Sequence, residues 1–186
     1  KHANGAEYTA VHVSRGGRFL EDYMRQIGMA DMARAAARTV HFTGYEVPVD
    51  KIKVAPEYRL IGGLLGSADI LAQMADGCYL EKCYDRLYPE FVRGGIARKR
   101  LKDGREEVIF ASAADLIFKT PRFYQGATKR LKQDLGGCYN YIEQHLGGQN
   151  IYFDELEKNI NHARAIAVDG DISKLRRRPA KTIESP

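Results

Sequence analysis

Apolar residues recur every three or four positions along most of the chain, the spacing that gathers them on one side of an α-helix. Between Glu7 and Ile27 the apolar set is Val11, Val13, Phe19, Leu20, Tyr23, Met24 and Ile27, with Gly16-Gly17 as an interruption and Gly28 as a stop. Ala30 to Val40 is rich in Ala, Met and Arg, has Asp31 near its start, and predicts a second helix. Phe42 to Val54 contains Gly44, Pro48 and several β-branched residues and predicts a loop with a short extended piece. Pro56 suits a first helical position and Glu57 the positive end of a helix dipole, so a third helix is expected to about Asp76. Gly77 interrupts it, and another helix is expected from about Cys78 to Leu87, limited by Pro89.

The second half is patterned in the same way. The basic stretch from Gly94 to Glu107, with its glycine breaks, predicts a surface connection, and Val108 to Ala111 a short strand or a loop. Ser112 is placed to cap a short helix through Ala113–Phe118. Thr120-Pro121 reads as an N-cap and first-turn proline of a helix ending near Leu135. Further helices are predicted over about Cys138–Leu146 and Tyr152–Val168. There is no internal repeat, and the expected fold class is all-α.

Composition narrows the class. A chain of 186 residues suits one domain, or one domain with an appendage. The longest mainly apolar run, Leu60 to Ala75, is broken by glycines, Ser67, Asp69 and Gln73, so no membrane span is expected. The net charge is +5, but much of the excess sits in Lys174 to Arg178 and Lys181. Residues 171–186 therefore read as a basic, flexible tail, and nucleic acid is not an expected partner of the near-neutral body. Three cysteines with no CxxC pair fit a reducing, cytoplasmic setting rather than a disulfide framework or a thiolate zinc site.

The segment with most chemical content is the third predicted helix. Asp69 stands among small and apolar residues, and a buried carboxylate needs an arginine, hydrogen-bond donors or a metal. His12 and His41 lie on earlier segments, so successive helices could aim one ligand each at a common centre. Imidazole with carboxylate suits zinc, manganese or iron. The residues alone also allow a blander arrangement: a satisfied His12, a His41 that ends a helix, and an Asp69 paired with an arginine. In the same reading Lys129, Arg130 and Lys132 form one solvated helix face, and His145 and His162 are surface or packing residues.

His12-Val-Ser-Arg-Gly-Gly-Arg-Phe-Leu20 resembles a segment of the HD-domain metal-dependent phosphohydrolases. Val40-His41 followed by Gly44-Tyr45 and Pro48 is similar to a reduced Gly-Tyr-Pro segment of the HD-GYP-like branch, and Leu64 to Asp69 to the last family motif, an apolar helix ending in Ala-Asp. Tyr79 to Cys83 and Leu87 to Phe91 look like a helical extension seen in some bacterial HD proteins. The resemblance implies a helical HD-like bundle over 1–92 and a helical extension over 93–170, together one domain over 1–170.

The resemblance also implies His12, His41 and Asp69 as ligands of a divalent ion (Mn, Fe, Zn or Mg). His2, ten residues earlier, is a further candidate. Arg15 and Arg18 are placed to hold a substrate phosphate. The implied activity is hydrolysis of a nucleotide, a cyclic nucleotide or another phosphate ester; homo-oligomerisation is compatible with it. The chain contains no adjacent His-Asp pair, the feature for which the family is named. A later part of a longer HD protein and a degenerate relative both fit that departure. The alternative function is a non-catalytic HD-like module that senses a ligand or binds a partner.

Overall fold

The computed structural model describes residues 5–101 and 103–177. The helices are α1 (His12–Gln26), α2 (Ala30–Thr39), α3 (Pro56–Met74), α4 (Tyr79–Lys82), α5 (Tyr88–Arg93), α6 (Ala113–Lys129), α7 (Asn140–His145) and α8 (Ile151–Asp169). One antiparallel hairpin, β1 (Arg98–Arg100) with β2 (Glu106–Val108), is the only sheet among the described residues. The fold is mostly helical, as the periodicity predicts. Among the described residues no helix is long and apolar enough to cross a membrane.

Four elements differ from the sequence reading. The basic connection forms the hairpin, pairing Lys99 with Glu107 and Arg100 with Glu106, so opposite charges face across the strands. Proline does not end the helix at Pro89. The chain widens into a π-helical turn over Cys83–Leu87, and Pro89 sits in the first turn of α5, where a missing N–H is tolerated. Nor does Thr120-Pro121 start a helix. α6 runs continuously through Pro121, and the Thr120 hydroxyl donates to the Leu116 carbonyl at 3.0 Å inside the core. The predicted cap at Ser112 is present, its hydroxyl accepting from the Asp115 amide at 3.1 Å.

The fourth difference is α3. Its glycine side is buried, but Leu60, Ile61, Leu64 and Leu65 on the other side are exposed. The helix is thus covered on one face rather than surrounded. On the covered face Phe42 lies against α3: a Cβ on Gly62 would stand 2.5 Å from the Phe42 ring, and one on Gly66 2.5 Å from the Phe42 carbonyl oxygen. Only glycine allows that approach.

α8 joins the two halves. Leu156 and Ile160 enter a core cluster with Phe42, Leu71, Met74 and Leu131, and Ala163 and Ile166 enter a second with Leu80, Cys83 and Ile117. The segments 1–92 and 93–170 therefore share their core. Asn159 of α8 ties the end of α3 down, its amide donating at 2.8 Å to the carbonyls of both Met74 and Asp76. Of the expected tail, residues 171–177 are described and lie against the body: Ile172 and Leu175 pack on the second cluster, and the Arg177 amide donates to buried Glu81 at 3.0 Å. Residues 178–186, with Arg178 and Lys181, lie outside the described residues.

The start of α1 is held from a distance. Val11, at the N-cap, has no side chain that accepts a hydrogen bond. Glu46 supplies the missing acceptor, taking the amides of Val13 at 2.8 Å and Ser14 at 3.0 Å and the Ser14 hydroxyl. Burial works against the charge on Glu46, yet the Ser14 and Val13 bonds and nearby His12 hold its carboxyl below the ordinary 4.5.

Gly62→Ala is expected to cost about 1–3 kcal/mol through overpacking against Phe42, whereas Gly16→Ala, whose new methyl meets nothing within 4 Å, should be neutral or stabilise by about 0.5–1 kcal/mol; urea unfolding of the two variants checks this. Glu46→Ala should cost about 1 kcal/mol at neutral pH. Because the folded carboxyl titrates below 4.5, the wild-type advantage should be constant above that pH and vanish as pH falls through the folded value. An advantage that does not change on acidification would refute the assignment.

Candidate functional site

The turn between α2 and α3 collects most of the chemistry. α2 ends at Thr39 and the chain tightens into a 3-10 turn over Val40–Thr43, which packs against α1, α2 and α3. The turn buries Phe42 and leaves His41 half-buried beside it. His41 Nδ1 is buried with no hydrogen-bond partner. Its Nε2 faces α1 at Gly17, where an added Cβ would lie 3.6 Å away. Gly17 owes its identity to close packing on α2, since the same Cβ would meet the Ala37 carbonyl at 3.0 Å.

Arg130 clamps this turn from across the molecule. It begins a π-helical turn over Arg130–Asp134 that continues α6. Its Nη2 donates to the carbonyls of Phe42 at 2.8 Å and Gly44 at 2.6 Å. The guanidinium lies 4.4 Å from the ring centroid of Tyr45. Arg130 is only 5% exposed, which overturns its assignment to a solvated helix face. The signal was available in the pattern, because Arg130 stands beside Ala127 and Leu131 on the buried stripe of α6 and the turn after it. Desolvation raises the Tyr45 hydroxyl above its ordinary value against the pull of Arg130, and the charges of Asp69 and Asp134 add to the rise, so both carboxylates lie within electrostatic reach of Tyr45.

The sequence-predicted residues are dispersed around this turn. His12 is exposed at the first position of α1, with Nδ1 bonded to the Thr9 carbonyl at 2.6 Å. Asp69 is half-buried on α3 and accepts from the Gln73 amide at 3.0 Å, so its partner is a neighbour one turn on rather than an arginine. Arg15 places its guanidinium 3.8 Å from the Tyr8 ring centroid. Arg18 is exposed on α1. His2 lies outside the described residues; His145 and His162 are exposed. Among the described residues no group of three or more His, Cys, Asp or Glu side chains is arranged to hold a metal ion. The unpartnered nitrogen of His41 suits a ligand, but His12, His41 and Asp69 do not gather into a centre, and the described residues alone do not fit a complete metal site.

Beside the clamp lies an open groove of about 630 Å³. Tyr45 and Phe123 form one side, with ring centroids 6.4 Å apart and planes tilted by 59°. Lys119, Arg122, Arg130 and Asp134 also line it. Neither buried thiol is a nucleophile candidate near neutral pH: Cys83 is pushed up to about 11 by desolvation, and burial also raises Cys138, which packs against Gly63 of α3.

No curated protein and no solved structure matches the chain. A family model described as Npun_R2479-like matches residues 1–165, and the chain belongs to that family.

Proposed function

We propose that the chain is part of an HD-type metal-dependent phosphohydrolase or phosphodiesterase acting on a nucleotide or another phosphate ester. The observation that carries the reading is the His41 imidazole, held at the junction of α1, α2 and α3 with a buried nitrogen that no described residue satisfies. A buried unpaired ring nitrogen costs stability, and such groups are retained where a ligand completes them. The motif similarities are the second support; the segments that carry them lie on α1, on the turn after α2 and on α3.

When bound, a divalent ion would supply an activated water and polarise a phosphoryl oxygen. This chain's contribution would be His41 and Asp69; a His-Asp pair, which these 186 residues do not contain, would have to be supplied from beyond them. No hydrolytic step is assigned to the residues in view, because they do not assemble the centre.

A specific observation favours the second reading, a non-catalytic HD-like ligand-binding module. Among the described residues no three candidate ligands converge. Full chain that retains no metal after growth with Mn, Fe or Zn, and shows no phosphatase turnover when metal is added back, would select it.

The two readings separate on metal content. Measured by elemental analysis after growth with Mn, Fe or Zn, His41→Ala and Asp69→Ala are each expected to weaken metal retention by at least about tenfold, the loss seen even for supporting groups. Helical content by circular dichroism should hold. Unchanged metal stoichiometry in both variants would remove these residues from the ligand set, and with them the hydrolase reading.

A further inference from the structure

Arg130 is a buried cation without a counter-ion among the described residues. Among the described residues it forms no ion pair, and its Nε is buried with no partner. Two carbonyl dipoles and the Tyr45 ring are what stabilise the charge. Removing a guanidinium from water on those terms is costly, and an anion beside it would recover much of that cost.

The same side chain lines the groove between Tyr45, α6 and the end of the hairpin. At about 630 Å³ the groove falls within the roughly 300–1,000 Å³ range of small-molecule sites. Its polar groups are of both signs. Lys119 is already committed to Asp115 and to the Ile109 carbonyl, each at 2.8 Å. Arg122 is exposed, with no hydrogen bond or ion pair among the described residues. Glu107 and Asp134 are exposed carboxylates on the rim. Tyr45 and Phe123 present ring surface, 61% and 49% exposed.

We infer that this groove binds a nucleoside monophosphate, with the phosphate drawn to Arg122 and Arg130, the base against Tyr45 and Phe123, and ribose or base N–H and O–H donors toward Asp134 and Glu107. Each class of group in the groove then has a counterpart in one ligand. A bare phosphate would leave both rings and both carboxylates unused and would be repelled by the carboxylates. An apolar ligand would leave Arg130 uncompensated. Arg122 offers a planar fork suited to phosphate oxygens, and exposed aromatic faces accept any base by stacking. The rim carboxylates stand in water, where their field is screened, whereas Arg130 acts from inside the protein. The inference does not depend on the hydrolase reading: none of the groove residues is a candidate metal ligand, and binding there needs no metal.

Isothermal titration of the full chain with 5′-AMP, in buffer containing EDTA, tests it. Adenosine and inorganic phosphate are titrated separately. 5′-AMP should bind at one saturable site, and each fragment at least about tenfold more weakly. Arg122→Gln and Phe123→Ser, both at exposed positions, should each weaken 5′-AMP by about tenfold or more while the helical circular dichroism of the free protein and its cooperative melt are retained. Absence of binding, phosphate binding as tight as 5′-AMP, or 5′-AMP affinity unchanged in both variants would each overturn the assignment. Because the titration is metal-free, its outcome is separate from loss of metal at His41 or Asp69.

Discussion

The seating of Phe42 on α3 is the constraint on which the rest of the molecule depends. The ring rests on Gly62 and the carbonyl oxygen beside it presses on Gly66, so the turn after α2 approaches the helix backbone at a distance no side chain would permit. That contact fixes where His41 and Tyr45 emerge on either side of it. It also brings the Phe42 carbonyl to Arg130, which is 88 residues further along the chain. A helix with large residues at 62 and 66 would push the turn outward and dissolve the clamp.

Arg130 makes the second half of the chain part of the site. Its hydrogen bonds to Phe42 and Gly44 are long-range contacts between a π-helical turn and a 3-10 turn, two irregular pieces at the ends of regular helices. Irregular backbone leaves carbonyls outside the helical ladder, and a guanidinium with several donors is suited to collect them. The same logic holds Glu46 on the first amides of α1 and Asn159 on the last carbonyls around α3. Loosening the Arg130 bonds would therefore be felt at His41 and in the groove.

The functional picture has two layers with different footing. Membership of the Npun_R2479-like family covers residues 1–165 and so includes both the turn and the clamp. The HD-type reading rests on short motif similarities and on one unpartnered imidazole. The groove rests on a buried cation, two exposed rings and a volume, and stands whether or not a metal centre forms nearby.

Periodicity determined most of the helices, because the spacing of apolar residues is a local property that survives in a single sequence. Ser112 was legible as a cap for the same reason, its partner being three residues away. The sequence also marked Asp69 as out of place in its surroundings and His41 as a candidate ligand. Tertiary structure alone decided what those residues meet. Asp69 is half-buried rather than enclosed because no described residue covers the outer face of α3, and His12 turns to Thr9 rather than toward a shared centre. Prolines were misread where the neighbouring turn could absorb the lost hydrogen bond, as the π-helical turn before Pro89 does. Arg130 was misread because its charge outweighed its place beside Ala127 and Leu131 on the apolar stripe. Its carbonyl partners lie on a segment that a local pattern cannot connect to it, since burial and pairing are settled when distant elements close on one another.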